Sequence, residues 1–458
     1  YLFIPSTDMY GCPLAMTDGA ARTLLDQENE ALVEEAVPHL TARDPESFWT
    51  SGQWMTEISG GSDVSNTQTT ARRDDGTWRL HGRKWFTSAI TANMALALAR
   101  PEDNPDGSEG LALFYVPIRD EDGLVDGIYV NRLKNKLGTR KLPTAELTLD
   151  GAAAKPVTDE LQHGTRDIAP MLTVTRTWNA VTAAAYLRRG LALARDYARK
   201  REAFGDAILN HRLHQETLAD LQAQLEGMVH LSFRVAELLG RREVNRADES
   251  DRALLRLLTP IAKLTTAKQA VAGTSEVIEA FGGAGYVEDT GLPPLLRDAQ
   301  VLPIWEGTTN VLALDLLRGV KKVGGIEPLG EEFERCLAGI DTSRLRHAAQ
   351  PALNAFQKAT EWLRSVPSDR PEAIQAGARR FALTLGHALE LAYTARHAQW
   401  SLRHEEEARS AVAAERLARH PINHIRETDD TGTEALAREQ ARSSLFDRYD
   451  VDATTFGT

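Results

Sequence analysis

The spacing of apolar residues in this 458-residue chain changes at Pro156, from short runs broken by turns to a repeat of three and four. Strands and helices have those two different periods, so the change constrains the fold more than any single motif does. From Met55 to about Leu149 the runs WRLHGRKWFTSA, MALALAR, LALFYVPI, GIYVNRL and AELTLDG follow one another. Asp74-Asp75-Gly76 and Asn104-Pro105-Asp106-Gly107 supply turn backbone between them, and the pattern predicts an antiparallel β domain. Beyond Pro156, Tyr186, Leu187, Leu191, Leu193 and Tyr197 share one helical stripe, and Leu213, Leu218, Leu221 and Leu225 another. Helices are expected from about Leu254 to Phe281 and from Thr309 to Val320, separated by Gly282 to Gly285 and by Pro293-Pro294, as in an up-down bundle. A third block, from about Leu329 to Phe446, is again helical in composition, with punctuation at Pro351, Pro367, Pro371 and Pro421. The stretch from about Thr428 has few apolar residues and is expected to be only partly ordered.

Charge argues against nucleic acid as the default partner: 53 Lys and Arg are dispersed among 65 Asp and Glu, for a net charge of -12. The two cysteines, Cys12 and Cys336, lie far apart and outside any CxxC or His-rich context, so neither a disulfide framework nor a metal site is expected and a reducing, cytoplasmic setting fits. No run approaches the roughly 18 apolar residues of a membrane span. The first residue is Tyr1 rather than Met, which leads us to expect that a preceding part was removed or never supplied.

Five segments can carry chemistry. In MTEISGGSDV, Gly60, Gly61 and Ser62 form a loop whose backbone can approach a ligand closely, although taken alone an ordinary turn after a strand is the better account. No GxGxxG follows a strand, so a Rossmann site is not indicated. In GRKWFTSA, Trp85 and Thr87 share a face if the segment is a regular strand, and could wall and hydrogen-bond a planar cofactor; a core aromatic is the alternative. YARKREAFG places Arg201 and Phe204 three apart, on one face of a helix end with Gly205 as terminator, suited to a diphosphate and a ring or simply to a solvated basic face. EVIEAFGGAGYVED is a helix ending at Gly282-Gly283, where close packing alone would explain both glycines. In LPIWEGTTN, Glu306 follows an apolar run and precedes Gly307, which sets a carboxylate at the edge of a dry pocket, as a base acting on a carbon acid requires; a helix N-terminal glutamate is the plain alternative.

In their order and spacing these segments resemble the acyl-CoA dehydrogenase superfamily over about Trp54 to Arg318. TEISGGSDV is similar to the family's TEPxAGSD loop, KWFTSA to its KxWITN strand, RKREAFG to its RxxFG helix, EAFGGAGY to its QxxGGxGY segment and WEGTTN to its YEGTxxIQ stretch. CPLAMTDGAAR, WEGTTNVLALDLLR and the extra helical block look closest to the branch of AidB-like and long eukaryotic acyl-CoA dehydrogenases. The resemblance implies a mainly α fold with a central antiparallel β domain. Residues 1–53 would be the remnant of a truncated N-terminal helical domain, 54–155 a β-barrel, 156–325 a helical bundle and 326–458 an additional C-terminal helical domain.

By the same resemblance FAD is the cofactor and an acyl-CoA the substrate. Thr56, Gly61 and Ser62 would meet flavin or thioester, and Trp85 with Thr87 would line the ring. Arg201, Phe204, Glu279, Gly282 and Gly283 would hold the cofactor of a neighbouring subunit in a homodimer or homotetramer. Thr308 and Asn310 would return to the flavin, Gly307 would lie at the thioester and Arg176 near the CoA arm. Glu306 would take the α-proton while the β-hydrogen leaves as hydride, giving a trans-2-enoyl thioester whose electrons pass to an electron-transfer flavoprotein. The sequence departs from the usual pattern at Glu279, Arg212, Thr173 and Asn310. Two other functions share the same outline: a flavin-dependent amine hydroxylase, and an AidB-like stress protein whose C-terminal block binds DNA through Arg379, Arg380, Arg396 and Arg403.

Overall fold

The computed structural model describes residues 1–120, 122–367, 369–426 and 430–439. Two helices, α1 (Gly11–Gln27) and α2 (Glu30–Leu40), precede nine strands: β1 (Ser51–Trp54), β2 (Thr70–Asp74), β3 (Thr77–Ser88), β4 (Met94–Pro101), β5 (Ala112–Pro117), β6 (Arg119–Asp120), β7 (Gly123–Leu124), β8 (Ile128–Leu133) and β9 (Thr144–Pro156). Then come α3 (Gly164–Asp167) and α4 (Ala169–Lys200), a small hairpin of β10 (Glu202–Ala203) and β11 (Asp206–Ala207), and the long helices α5 (Arg212–Glu243) and α6 (Glu249–Ala280). The helices α7 (Pro293–Ala299), α8 (Thr309–Val323), α9 (Glu327–Ala338), α10 (Ser343–Ser365), α11 (Pro371–His404), α12 (Arg409–Leu417) and α13 (Asp430–Ala437) follow. The expectation of partial order from Thr428 falls, apart from the described α13, outside the described residues, as does the end of the third block at Phe446.

The strands β4, β2, β3, β9 and β5 close into a ring through the β4–β5 pairing, with β1 added on β4 and β8 on β9. Most pairs are antiparallel as expected, but β1 and β2 both run parallel to β4. In β4 every residue from Met94 to Ala99 is buried, which explains why MALALA does not alternate: the barrel covers one face and α1, through Met16, Ala20 and Leu24, belongs to the same core. The expected alternation also fails in β3, where the register slips between Lys84 and Thr87. One extra residue there buries both Lys84 and Thr87, so Trp85 and Thr87 do not share a face as a regular strand would require.

The helices pack closely because small residues meet large ones. A Cβ on Gly190 of α4 would stand 2.9 Å from Val277 of α6, and one on Gly273 of α6 would stand 2.7 Å from Leu187 of α4. The third block shares this core, since Phe333, Phe381, Leu385 and Leu389 cluster with Leu231, Leu257 and Leu312. Gly386 of α11 lets that helix lie against Thr265 of α6. Pro351 does not end a helix; it lies inside α10. Burial of Ala348, Ala349, Ala352 and Ala355 along that helix outweighs the roughly 3 kcal/mol that an interior proline costs.

A buried carboxylate fastens the block. Glu332 on α9 accepts from Arg234 Nε on α5 at 2.9 Å, from Tyr393 Oη on α11 at 2.8 Å and from Arg335. Burial alone would raise its pKa, but the hydrogen bonds from Arg335 and Arg234 outweigh that and hold it at about 2, against 4.5 for a free glutamate. A depressed carboxylate stabilises the fold above its unfolded pKa and loses that contribution as pH falls through the folded one. Acid unfolding should therefore show a component between pH 4.5 and about 2. Glu332→Gln should remove that component and cost on the order of 3 kcal/mol at neutral pH by urea unfolding, since it leaves Arg234 buried without its charge partner.

Candidate active site

Glu306 lies between α7 and α8, at the seam of barrel and bundle; its neighbour Trp305 packs against both cores. The backbone is left-handed at two successive residues, with φ of 56° at Glu306 and 99° at Gly307. The second is a position that glycine adopts without strain and the first is costly for a glutamate. The surroundings hold it there. Lys263 on α6, wholly buried, donates from Nζ to the carbonyls of Trp305 (2.7 Å) and Gly307 (2.6 Å), the residues on either side. Arg176 Nε donates to the carbonyl of Glu306 itself at 3.1 Å. The indole N–H of Trp305 donates to Asn179 on α4.

The Glu306 carboxylate does not cap α8. Its Oε2 accepts from Thr175 Oγ1 at 2.6 Å, leaving Oε1 for other work. It opens on a cavity of about 30 Å³ whose lining is mixed, with Met9, Met16, Trp178 and Trp305 beside Cys12, Thr175, Asn179 and Thr182. That volume holds about one water, so α1 closes the thioester slot that the sequence led us to expect. Burial, and then Glu306, push the Cys12 thiol up to about 12, which keeps it protonated beside the carboxylate. On the barrel side, the charge of Lys136 partly opposes the rise of the Cys12 thiol, and its Nζ donates to Thr144 Oγ1 at 2.9 Å. Thr144 in turn bonds Ser88 at the end of β3.

Arg176, expected along the CoA arm, spends its donors inside the protein, on the Glu306 carbonyl and on Asp315 Oδ2 at 3.0 Å. Asp315 is shared with Arg256. Burial raises the Asp315 pKa, and Arg176 and Arg256 more than reverse this. Arg176 thus orients the loop of Glu306.

The barrel residues gather at the loop before β2. Gly61 is required by contact: a Cβ there would stand 2.8 Å from Thr56 Oγ1. Gly61 and Ser62 are exposed, and the Thr56 carbonyl accepts from the N–H of Trp85 at 2.9 Å, tying loop to strand. Beneath them lies a pair that the sequence reading passed over. Glu57, buried, accepts from Lys84 Nζ and from the amides of Gln68 and Thr69. Trp85 is half-buried with Lys134 Nζ 3.4 Å from its ring centre, and Thr87 is fully buried with its hydroxyl donated to the Ala145 carbonyl. That donor is therefore not presented to a cofactor edge.

The remaining candidates lie on the outer surface of the bundle. The helix α4 ends at Lys200 rather than continuing through Phe204, so Arg201 and Phe204 are not on one helical face. Phe204 and Gly205, with φ of 56° and 88°, form the tip of the β10–β11 hairpin, where Phe204 is 99% exposed. Glu279 is exposed at the end of α6. Packing does not explain Gly282 and Gly283, beside which a Cβ would meet nothing within 4 Å; the tightly packed glycine is Gly285, against the Ile278 carbonyl. Thr308 occupies the N-terminal cap position of α8 in extended backbone without a side-chain cap bond, and Asn310 Oδ1 accepts from Arg379 Nη1 of α11 at 3.4 Å.

This fold, a β-barrel set against a long-helix bundle with a carboxylate at their seam, matches that of known proteins. Residues 52–152 match the middle domain of acyl-CoA dehydrogenase and residues 162–321 its C-terminal domain. Acyl-CoA dehydrogenase family member 11 of Caenorhabditis elegans is 46% identical over 400 residues, 84% of this chain and 65% of that protein. AidB of Escherichia coli strain K12 is 35% identical over 330 residues, 70% of this chain and 59% of its own. The crystal structure of C. elegans ACDH-11 in complex with C11-CoA superposes with a TM-score of 0.89 at 42% identity, covering 98% of this chain and 77% of that one. The chain belongs to the acyl-CoA dehydrogenase family. It spans less than two thirds of the length of the first two relatives, 65% and 59%.

Lys263 was legible only as a lone lysine in the apolar run TPIAKLTTA, and Thr175 carried no signal. Burial lowers the Lys263 pKa from 10.5 to about 7, with Glu306 opposing that shift. Between those values the unfolded chain binds more protons than the folded one, so the contribution of Lys263 to stability rises as pH climbs from about 7 toward 10.5. Lys263→Met should flatten that slope in pH-dependent thermal unfolding. It should also cost about 1–3 kcal/mol, because two buried carbonyls lose their donor.

Proposed function

We propose that this chain dehydrogenates an acyl-CoA thioester between Cα and Cβ, with FAD as its cofactor and Glu306 as its base. One observation carries the reading: a carboxylate that lines a small pocket with one oxygen held by Thr175, on a loop fixed by three hydrogen bonds from Lys263 and Arg176. A base that must remove a weakly acidic C–H gains most from being held in position.

The residues fit a flavin dinucleotide. A half-buried tryptophan borders the barrel loop, and two glycines with open space beside them and an exposed Phe204 tip lie where a long ligand could pass close to the backbone. FAD, when bound, would supply the hydride acceptor. The chain's own residues do the rest: Glu306 Oε1 takes the α-proton, Thr175 keeps the other oxygen in place, and the small pocket excludes bulk water. The N–H of Glu306 donates to no acceptor among the described residues, which leaves it free to polarise the thioester carbonyl as negative charge develops there. A phenylalanine tip exposed as fully as Phe204 supports burial against a second copy, in a homodimer or homotetramer that shares cofactor contacts. An electron-transfer flavoprotein is the fitting acceptor.

In Glu306→Gln the amide keeps the shape and the Thr175 contact but cannot accept a proton. The purified variant should keep its yellow absorbance while anaerobic bleaching by saturated acyl-CoAs falls by about a thousandfold or more, toward the upper end of the usual worth of a general base because no other carboxylate or histidine lines the pocket. Bleaching at the native rate would remove Glu306 from this role.

A further inference from the structure

Three successive carbonyls around Glu306 are each held by a cation. Lys263 takes those of Trp305 and Gly307, and Arg176 Nε takes that of Glu306 between them. A trans peptide is planar, so pinning a carbonyl also points the N–H across the same bond. The Trp305 carbonyl thereby aims the N–H of Glu306, and the Glu306 carbonyl aims the N–H of Gly307. Arg176 is itself held. Its Nη1 donates to Asp315 Oδ2 on α8 at 3.0 Å, while Arg256 Nη2 on α6 donates to Asp315 Oδ1 at 2.8 Å and to the Asp315 carbonyl at 3.2 Å. Arg318 Nη2 lies 3.5 Å from the same Oδ1. Three guanidiniums thus converge on one carboxylate, and without it Arg176 and Arg256 would face each other as like charges in a largely buried site. Arg256 precedes Lys263 by two helical turns on one face of α6. That face therefore reaches the loop twice, directly through Lys263 and in series through Arg256, Asp315 and Arg176. Gly319, one turn after Asp315, leaves room for the series: a Cβ there would stand 3.2 Å from Arg256 Nη1.

We propose that Asp315 is a positioning residue for the reaction at Glu306, holding Arg176 on the Glu306 carbonyl while Arg256 holds Asp315 in turn. The inference rests on the reading of Glu306 as the base. Asp315 acts through the backbone rather than on the substrate. Asp315 also keeps two donors of Arg176 turned inward, away from the phosphates of a CoA arm.

The test compares Asp315→Asn, Arg176→Gln and the double variant with the unaltered protein, each as the purified full chain supplied with FAD. Anaerobic stopped-flow bleaching by a saturated acyl-CoA separates the limiting rate from the half-saturating concentration. Hydrogen exchange of the amides in the segment 302–310 needs no substrate. Asp315→Asn should lower the limiting rate by roughly tenfold to a hundredfold, the scale of a small misplacement of a reacting group, with half-saturation unchanged. Exchange in the segment should quicken by about tenfold. The double variant should be no slower than Arg176→Gln alone, because the two residues act in series. Arg256→Gln should give a smaller change in the same direction, and it keeps the proposal testable if Asp315→Asn does not fold. Glu332→Gln, destabilising for a reason remote from the loop, should leave the limiting rate unchanged, which separates lost stability from lost position. A native limiting rate in Asp315→Asn with a lower half-saturating concentration would mean that Asp315 only withholds Arg176 from the CoA arm, and would overturn the proposal. So would losses that add in full in the double variant; in both cases Glu306 stands as the base. A protein that no acyl-CoA bleaches, yet whose segment exchanges faster in each single variant with no further gain in the double, would sink the base reading and keep the positioning.

Discussion

Lys263 reaches from the middle of α6 to the carbonyls of Trp305 and Gly307, and the placement of Glu306 depends on that contact. A left-handed glutamate is conformationally expensive, and its cost has to be met by interactions that no alternative backbone could make. Two carbonyls turned toward one ammonium, with a third held by Arg176, satisfy that condition. The long helices α4 and α6 cross closely at Gly190 and Gly273, and that packing brings Thr175, Arg176 and Lys263 to one loop. The geometry of the Glu306 loop is a property of the helix crossing before it is a property of the loop itself.

The barrel contributes a different constraint. The buried Glu57–Lys84 pair and the register slip in β3 lie under the loop that carries Thr56, Gly61 and Ser62. A paired charge at that depth is stable only with its hydrogen bonds complete, and the amides of Gln68 and Thr69 complete them. The bulge that breaks the alternation thus allows one strand to bury a lysine toward Glu57 and a threonine three residues later, while Trp85 stays half-buried. Trp305, packed against both cores, joins the barrel to the bundle.

The helices beyond Leu329 are not an appendage. They share a hydrophobic core with α5, α6 and α8, and Glu332 ties three helices through charged hydrogen bonds. The expectation of a DNA-binding face rested on arginines such as Arg379, Arg380, Arg396 and Arg403. Of these, Arg379 and Arg380 line an open cavity beside α8 and Arg403 pairs with Asp341 at the surface, so part of that charge is already engaged within the block.

The class of fold was readable from periodicity, because the residues that bury one face of a strand or a helix recur at the spacing of that element whatever the tertiary detail. The order of the five motifs likewise carried the family, and with it the position of Glu306. Other features were decided only by folding. The mismatch of Trp85 and Thr87, the hairpin that lifts Phe204 off the helix, the open Gly282 and Gly283, and the inward turn of Arg176 all follow from pairings between segments far apart in the chain. Lys263 and Thr175 are distant from Glu306 in sequence, and a lone lysine or threonine in a helix announces no partner. Local pattern determines which element a residue joins; only the packing of those elements determines what each side chain finally meets.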